Sequence, residues 1–577
     1  RISSLRFKKM ELKYGKSLSL NADLDLSGLP YINETFIYGQ VNELKADKRD
    51  IQDIISGLTK KPFVLPKELN QLGTVIYKGN ISGFLSNLVA YGNLKTNLGS
   101  ISTDILVQLE NKLKDLKYNG TVKSNNFELG RLLSNKNLGK ASFSFNTNGI
   151  KKTGAAVRGN VKAIVNEIDF NQYVYRDIAL DGKYDGTGFD GAIKLTDDNI
   201  NADFKGVIDL TKKLPVFDFE LDVKDANPHA LHLIKTYPGA LLSFSGKTNM
   251  IGNSPDNING NIVFDSIKLT NANKTLNVNK IEFTSNTTEN NTDFLINSDY
   301  VKGSFSGNFK YSNVNSTINK IIQYYLPALA VSTKRYAKTQ NHIDIDLTIE
   351  NTAEISDVLN LPYKLNGTST IKGSIDERLN KININGNFAE FRTQKQAFEN
   401  ITFSVENQQQ QLKLTTRAQM PDRKGSTRLY LFASAAKDSV TTQLGWQNSN
   451  KITNAGEFQT VTKFSTVDNK LAVKMNILPT QVIISDSIWD IRASKIALNP
   501  DKTIAIDNFR FENKEQFIHI DGKVSQNLTD GVTVSMKEVD VDYVMQVLKL
   551  KGISFGGHVT GKAELISLLK QPVLLAK

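Results

Sequence analysis

Cysteine is absent from the 577 residues of this chain. That excludes disulfide scaffolds, thiolate zinc sites and cysteine nucleophiles, and it leaves the compartment open, because a long sheet needs no disulfides. Tryptophan (2), histidine (5) and proline (13) are scarce. Imidazole chemistry therefore has few places to sit. No apolar run approaches the roughly 20 residues of a membrane-spanning helix. The most apolar stretch is YYLPALAV, at 324–331. Neither sign of charge dominates: 71 basic against 59 acidic residues leave a net +12. The basic residues cluster no further than pairs such as Lys8-Lys9, Lys60-Lys61, Lys151-Lys152 and Lys212-Lys213. A pI near 9.2 without a basic stripe or recognition motif argues against a nucleic-acid partner.

What is present is alternation. In SLSLNADLDL, Leu18, Leu20, Ala22, Leu24 and Leu26 share one face, and Ser17, Ser19, Asn21, Asp23 and Asp25 share the other. The same period of two covers VFDFELDV, with Phe217, Phe219, Leu221 and Val223 on one side. It also covers HIDIDLTIE, with Ile343, Ile345, Leu347 and Ile349. ASFSFN (Phe143, Phe145), KININGNF (Ile382, Ile384, Phe388) and DNFRFEN (Phe509, Phe511) repeat it, and Phe305 and Phe309 belong to the same pattern. Period two with one apolar face marks half-covered antiparallel strands. NTNG at 146–149, YDGTG at 184–188, NSPDNING at 253–260 and QQQQ at 408–411 read as reversals.

Helices are expected to be few and short. DKRDIQDIISGL places Ile51, Ile54, Ile55 and Leu58 on one stripe, and NSTINKIIQYYL does so with Ile318, Ile321, Ile322 and Tyr325. A unit of polar cap, short apolar helix and glycine-punctuated strand recurs at 125–149, 227–252, 351–375 and 539–565. Recurrence of one supersecondary unit points to a repetitive architecture. We divide the chain into approximate repeats 1–124, 125–226, 227–350, 351–538 and 539–577 of one continuous fragment.

Catalytic motifs fail on inspection. GGHVTGKA, at 556–563, has phosphate-loop spacing, but Ala563 replaces the magnesium-binding Ser or Thr and alternation continues through it. His229 and His232 are three apart with no third ligand in view. The acidic residues fall on polar strand faces rather than in a converging pair. The sequence calls for no enzyme, metal or cofactor.

The helix-then-strand unit resembles the repeat of the AsmA-like superfamily, closest to the family of the translocation and assembly module subunit TamB in its Bacteroidota-like form. LGTVIYKGNISGFLSNLVAYGNLKTNLGSISTDI (72–105) and IAIDNFRFENKEQFIHIDGKV (504–524) carry the likeness best. The resemblance implies an all-β fold with a few short helices: an elongated, coiled, mostly antiparallel sheet forming an apolar trough. It implies a bridge across the periplasm that conducts phospholipid between inner and outer membranes and supports outer-membrane protein assembly. The implied partners are phospholipid acyl chains, the inner membrane through an N-terminal anchor, and an outer-membrane barrel of the TamA/Omp85 type. The chain opens at Arg1 and stops at QPVLLAK with the pattern unbroken. It is accordingly expected to be a middle fragment, with the anchor and the C-terminal family domain outside it. The candidate groove lining is Leu18, Leu20, Leu24, Leu26, Phe143, Phe145, Phe217, Phe219, Leu221, Phe305, Phe309, Ile343, Ile345, Leu347, Ile382, Ile384, Phe388, Phe509 and Phe511. A surface adhesin is the competing reading, although the rungs of a β-helix repeat at a shorter, stricter period.

Overall fold

A computed structural model describes residues 3–576 apart from 16, 32–33, 60–70, 111–114, 153, 330–339, 423–424, 528–529, 541–555, 567 and 569–572. Strands take 69% of the residues and helices 9%, so the class is all-β with a few short helices. The chain divides into two units, Arg1–Phe283 and Thr284–Lys577.

In the first unit the strands from Ser4–Tyr14 to Asn259–Asn271 form an up-and-down meander. Each pairs antiparallel with the next. At about 4.8 Å per strand this sheet runs roughly 65–70 Å across its strands. Strand Lys274–Thr287 then carries the chain out of the unit.

The second unit repeats the scheme from Thr292–Ser298 to Val573–Ala576. It has one variation. Strand Ala455–Val467 pairs along one half with Lys470–Ile477 and along the other with Thr480–Ile484. Pro479 lies between those two segments, lacks an amide hydrogen, and breaks what would be one strand. The return passes likewise through Ser487–Ile491 and Ser494–Leu498 before Ile504–Asn513 pairs with both.

Local sequence accounts for most reversals. Gly186–Thr187, Pro255–Asn257 and Gln409–Gln410 turn where expected. NTNG does not: Asn146–Gly149 runs through strand Leu138–Lys151. There Asn146 and Asn148 face water, while Thr147 and Gly149 face the other side. Alternation outweighed the turn residues.

The recurring unit is realised unevenly. Leu129–Leu133 and Ala353–Val358 are short helices, each followed by its strand. In the 227–252 copy Leu231 N–H bonds Asn227 O, and then the chain leaves helical geometry because His232 sits at φ +57 and Tyr237 at +58. Only one turn forms. The helix expected in the 539–565 copy lies outside the described residues, and so do the side chains of Ile55 and Leu58 in helix Lys48–Thr59. Within the first unit the connections 47–74, 128–137 and 227–240 all leave the same rim of the sheet, as the parity of a strict meander requires.

Candidate functional site

Residues directly opposed in an antiparallel pair share a face. Following partners from strand to strand therefore traces rows across each sheet. In the first unit, Phe145 opposes Ala163, then Leu180, Ile193, Phe204 and Leu221. One row over, Phe143 leads through Val165 to Ile178 and Leu195, and in the other direction the row reaches Leu20. A third row joins Leu24 to Phe219, and a fourth joins Leu26 to Tyr118, Tyr184 and Phe217 by the same stepwise partners. Eight of the candidate residues thus lie in four rows on one face, and Leu18, buried, sits at the rim opposite Tyr14.

The second unit aligns Phe305 with Ile345, Gly373, Ile384, Val405 and Leu414. Leu347 lies in the next row with Ile371 and Phe403 through Gly386. Ile343, Ile375 and Ile382 form a rim row. Phe388 opposes Ser369 and Ile401. Phe309 has left its strand and packs under a helix. Phe509 and Phe511 pack around Trp489, which stacks on Phe511 with ring centroids 4.6 Å apart.

The opposite faces are wet. Lys162 pairs with Asp181 at 3.5 Å, Lys247 with Glu220 at 2.9 Å and Lys372 with Asp346 at 3.0 Å, all across exposed cross-strand positions. Such pairs stabilise by at most about 1 kcal/mol each and serve mainly to keep that face solvated. Concavities of about 730 and 910 Å³ lie against this polar face in the first unit. They are furrows lined by both signs of charge, Lys123, Lys162, Asp181 and Asp203 among them, and members of the apolar rows such as Tyr184 and Leu180 also contribute to their walls.

The apolar face is not covered as a core would be. Strands Val157–Phe170, Tyr173–Asp185, Gly188–Asp197 and Ile200–Asp209 alternate half-buried and exposed residues, and none of their apolar side chains is buried. In a sandwich the inward half of such strands is sealed by the facing sheet. Burial concentrates instead at the rim, where Phe127, Leu98 and Leu231 are at 2% exposure or less, and around Ala22, Val41 and Tyr77 on the first strands.

Two features keep this face apolar and low. Its hydroxyls turn into the sheet: Thr147 donates to Asn160 O at 2.9 Å, Thr248 to Asn261 O at 3.1 Å and Ser124 to Ser100 O at 2.6 Å. The threonines therefore present methyl groups. Tyr118 and Tyr184 approach each other across Gly149 and Gly159, and their hydroxyls are hydrogen-bonded over the glycines. A Cβ on Gly149 would stand 2.5 Å from the Tyr118 hydroxyl, so glycine is what allows the rings to lie along the floor. Burial, then the Tyr184 hydroxyl, pushes the Tyr118 phenol above its ordinary range.

His232 contacts Asn171 O at 3.2 Å through Nδ1 on an exposed turn, and from His558 onward GGHVTGKA is strand. Among the described residues no group of three or more His, Asp or Glu is placed to hold a metal, and no helix is long and apolar enough to cross a membrane.

Sequence reasoning missed a repeated bulge. Asn126, Asp225 and Glu538 adopt φ of +49 to +54, each just before the buried Phe127, Ala226 or Val539. Their amides donate to Ser142 Oγ, Ser243 Oγ and Thr560 Oγ1 on the following strand, at 3.0, 2.9 and 3.0 Å. The signal was an Asn, Asp or Glu interrupting alternation one residue before an apolar one.

Comparison with known proteins returns no matching family model, no matching curated protein and no matching solved structure.

Proposed function

We propose that this chain binds phospholipid acyl chains along the apolar face of its sheets and conducts them between the inner and outer membranes of a diderm envelope. The reading places it in the periplasm, joined to the inner membrane by an N-terminal anchor and working with an outer-membrane barrel of the Omp85 type in protein assembly. The membrane assignment and the partners rest on the resemblance to the TamB family of the AsmA-like superfamily.

One observation carries the ligand class: four successive strands, Val157 to Asp209, present an apolar face with no buried apolar side chain. A continuous apolar strip left to water is unfavourable, and strips larger than a few hundred Å² are unusual on a soluble surface. An acyl chain relieves the cost at about 0.8 kcal/mol per buried CH₂, so ten methylenes supply about 8 kcal/mol. The rows are chemically alike along the sheet, so neighbouring positions are close in energy and a chain can slide without a deep trap. The function needs no catalytic group.

A photocrosslinking amino acid at Phe219, in cells making the full-length protein, tests this. The proposal expects a lipid adduct there and none at the wet-face neighbour Asp218. Adducts only with protein at Phe219 would contradict it.

A further inference from the structure

In the second unit the apolar face carries a longer covering segment than the single turn at 227–240, whose Leu231 packs on Tyr173, Tyr175, Ile200 and Ala202 at the rim of the first. The segment from Phe309 to Leu329 lies along one rim as two short 3-10 turns, Tyr311–Asn313 and Pro327–Leu329, flanking helix Val314–Tyr325. Its apolar stripe, with Ile321 at 0%, Tyr325 at 5% and Leu326 at 8% exposure, packs on the rim row Ile343, Ile375 and Ile382. The segment begins beside strand Val301–Gly307 and ends against strand Ala455–Val467, eight strand steps further on. Those steps cover about 38 Å. The 18 residues of helix and turns account for about 30 Å, and their side chains for the rest. The segment is therefore a strap laid along the sheet's axis.

The strap is fastened by polar contacts near its two ends. At one, Lys320 Nζ lies 2.6 Å from Glu377 Oε1, Thr317 donates to Glu377 Oε2 at 2.9 Å, and Asn341 Nδ2 donates to Thr317 Oγ1 at 2.6 Å. At the other, the Tyr325 hydroxyl donates to Asn380 O at 2.9 Å and accepts from Asn407 Nδ2 at 2.5 Å, and Ala328 N–H donates to Asp438 Oδ1 at 2.6 Å. Between the fastenings it lies on apolar surface of the same kind as the uncovered rows.

We infer that the strap is a displaceable lid: its aliphatic stripe occupies the place an acyl chain would take, and lipid reaches the rows beneath, Ile345 and Ile384, only when the strap lifts. This rests on the acyl-chain reading above. A tethered occupant of that kind reduces apparent affinity by the fraction of time it is open. It would make this stretch of sheet a controlled passage, whereas the uncovered strands of the first unit admit lipid freely.

The absence of native cysteine makes the test direct. In the full-length protein, Thr317→Cys with Asn341→Cys places two thiols where side-chain atoms already touch, so oxidation locks the strap. Photocrosslinkers at Ile345, under the strap, and at Phe219, in the first unit, report lipid capture. Locking is expected to abolish capture at Ile345 and leave Phe219 unchanged, with recovery on reduction. Glu377→Ala, which removes the contacts to Lys320 and Thr317, is expected to raise capture at Ile345 about tenfold. Equal capture at Ile345 in oxidised and reduced protein, with Phe219 capturing lipid, would overturn the lid and leave the acyl-chain reading standing. No lipid at either position in any form would overturn both. No rise in capture with Glu377→Ala counts against the lid whether or not the disulfide forms.

Discussion

At the scale of single residues, the account separates positions that look alike in sequence. Phe219 and Ile321 are both apolar, but Phe219 lies half-buried on an uncovered row and Ile321 is fully buried under the strap. An arginine at Phe219 can extend its guanidinium to the rim while its methylenes stay on the face. We expect Phe219→Arg to cost no more than about 2 kcal/mol by denaturant unfolding. Ile321→Arg buries an unpaired cation and should cost upwards of about 4 kcal/mol, melting the strap region. If the two cost the same, the distinction between open face and covered core is wrong. A carboxylate gives a second residue-scale prediction. Hydrogen bonds from Tyr430 (2.6 Å), Gln459 and Gln443 hold the Glu457 carboxyl below the usual range. A depressed native value stabilises the fold above the unfolded value of about 4.3 and loses that contribution as the pH falls through the native one. The difference in Tm between wild type and Glu457→Gln should therefore be present at pH 7 and shrink in acid. A difference that grows in acid would refute the assignment.

Elements show how strands are braced to one another. Tyr430 lies over Gly445 on the neighbouring strand, where a Cβ would come 2.0 Å from the ring, and its hydroxyl reaches Glu457 one strand further on. Gly445→Ala must displace the ring and is expected to cost about 1–3 kcal/mol. It should also remove the acid-sensitive contribution of Glu457. In the Tyr430→Ala background the same change should cost markedly less, a coupling that a double-mutant cycle measures. Additive costs would show that the ring is not what glycine accommodates. Such braces mark how much of the structure was legible in sequence. Period-two alternation in VFDFELDV or HIDIDLTIE is a direct consequence of strand geometry, so the strands and the face of Phe219 or Leu347 could be read. Which row each residue joins depends on register, and register is set by turns and by bulges at Asn126, Asp225 and Glu538, whose local mark is only a polar residue interrupting alternation one place before an apolar one. The helix at 314–325 was legible from Ile318, Ile321 and Tyr325. Its position over Ile343 and Ile382 was not, because it depends on contacts to Glu377 and Asp438, distant in sequence. The single turn at 227–240 was misread as a helix because its apolar spacing does not reveal the left-handed His232.

For the whole molecule, the central claim is that these sheets hold lipid, because on the described strands from Val157–Phe170 to Ile200–Asp209 the apolar rows bury none of their side chains. Native mass spectrometry of the full-length protein, purified in mild detergent from the membranes that produce it, tests this most directly. The account predicts masses above the apoprotein that correspond to several bound phospholipids, released on collisional activation and identified as phospholipid in the same spectrum. Phe219→Arg should carry fewer of them while remaining folded. A spectrum of lipid-free protein, unchanged when phospholipid vesicles are added, would contradict the claim.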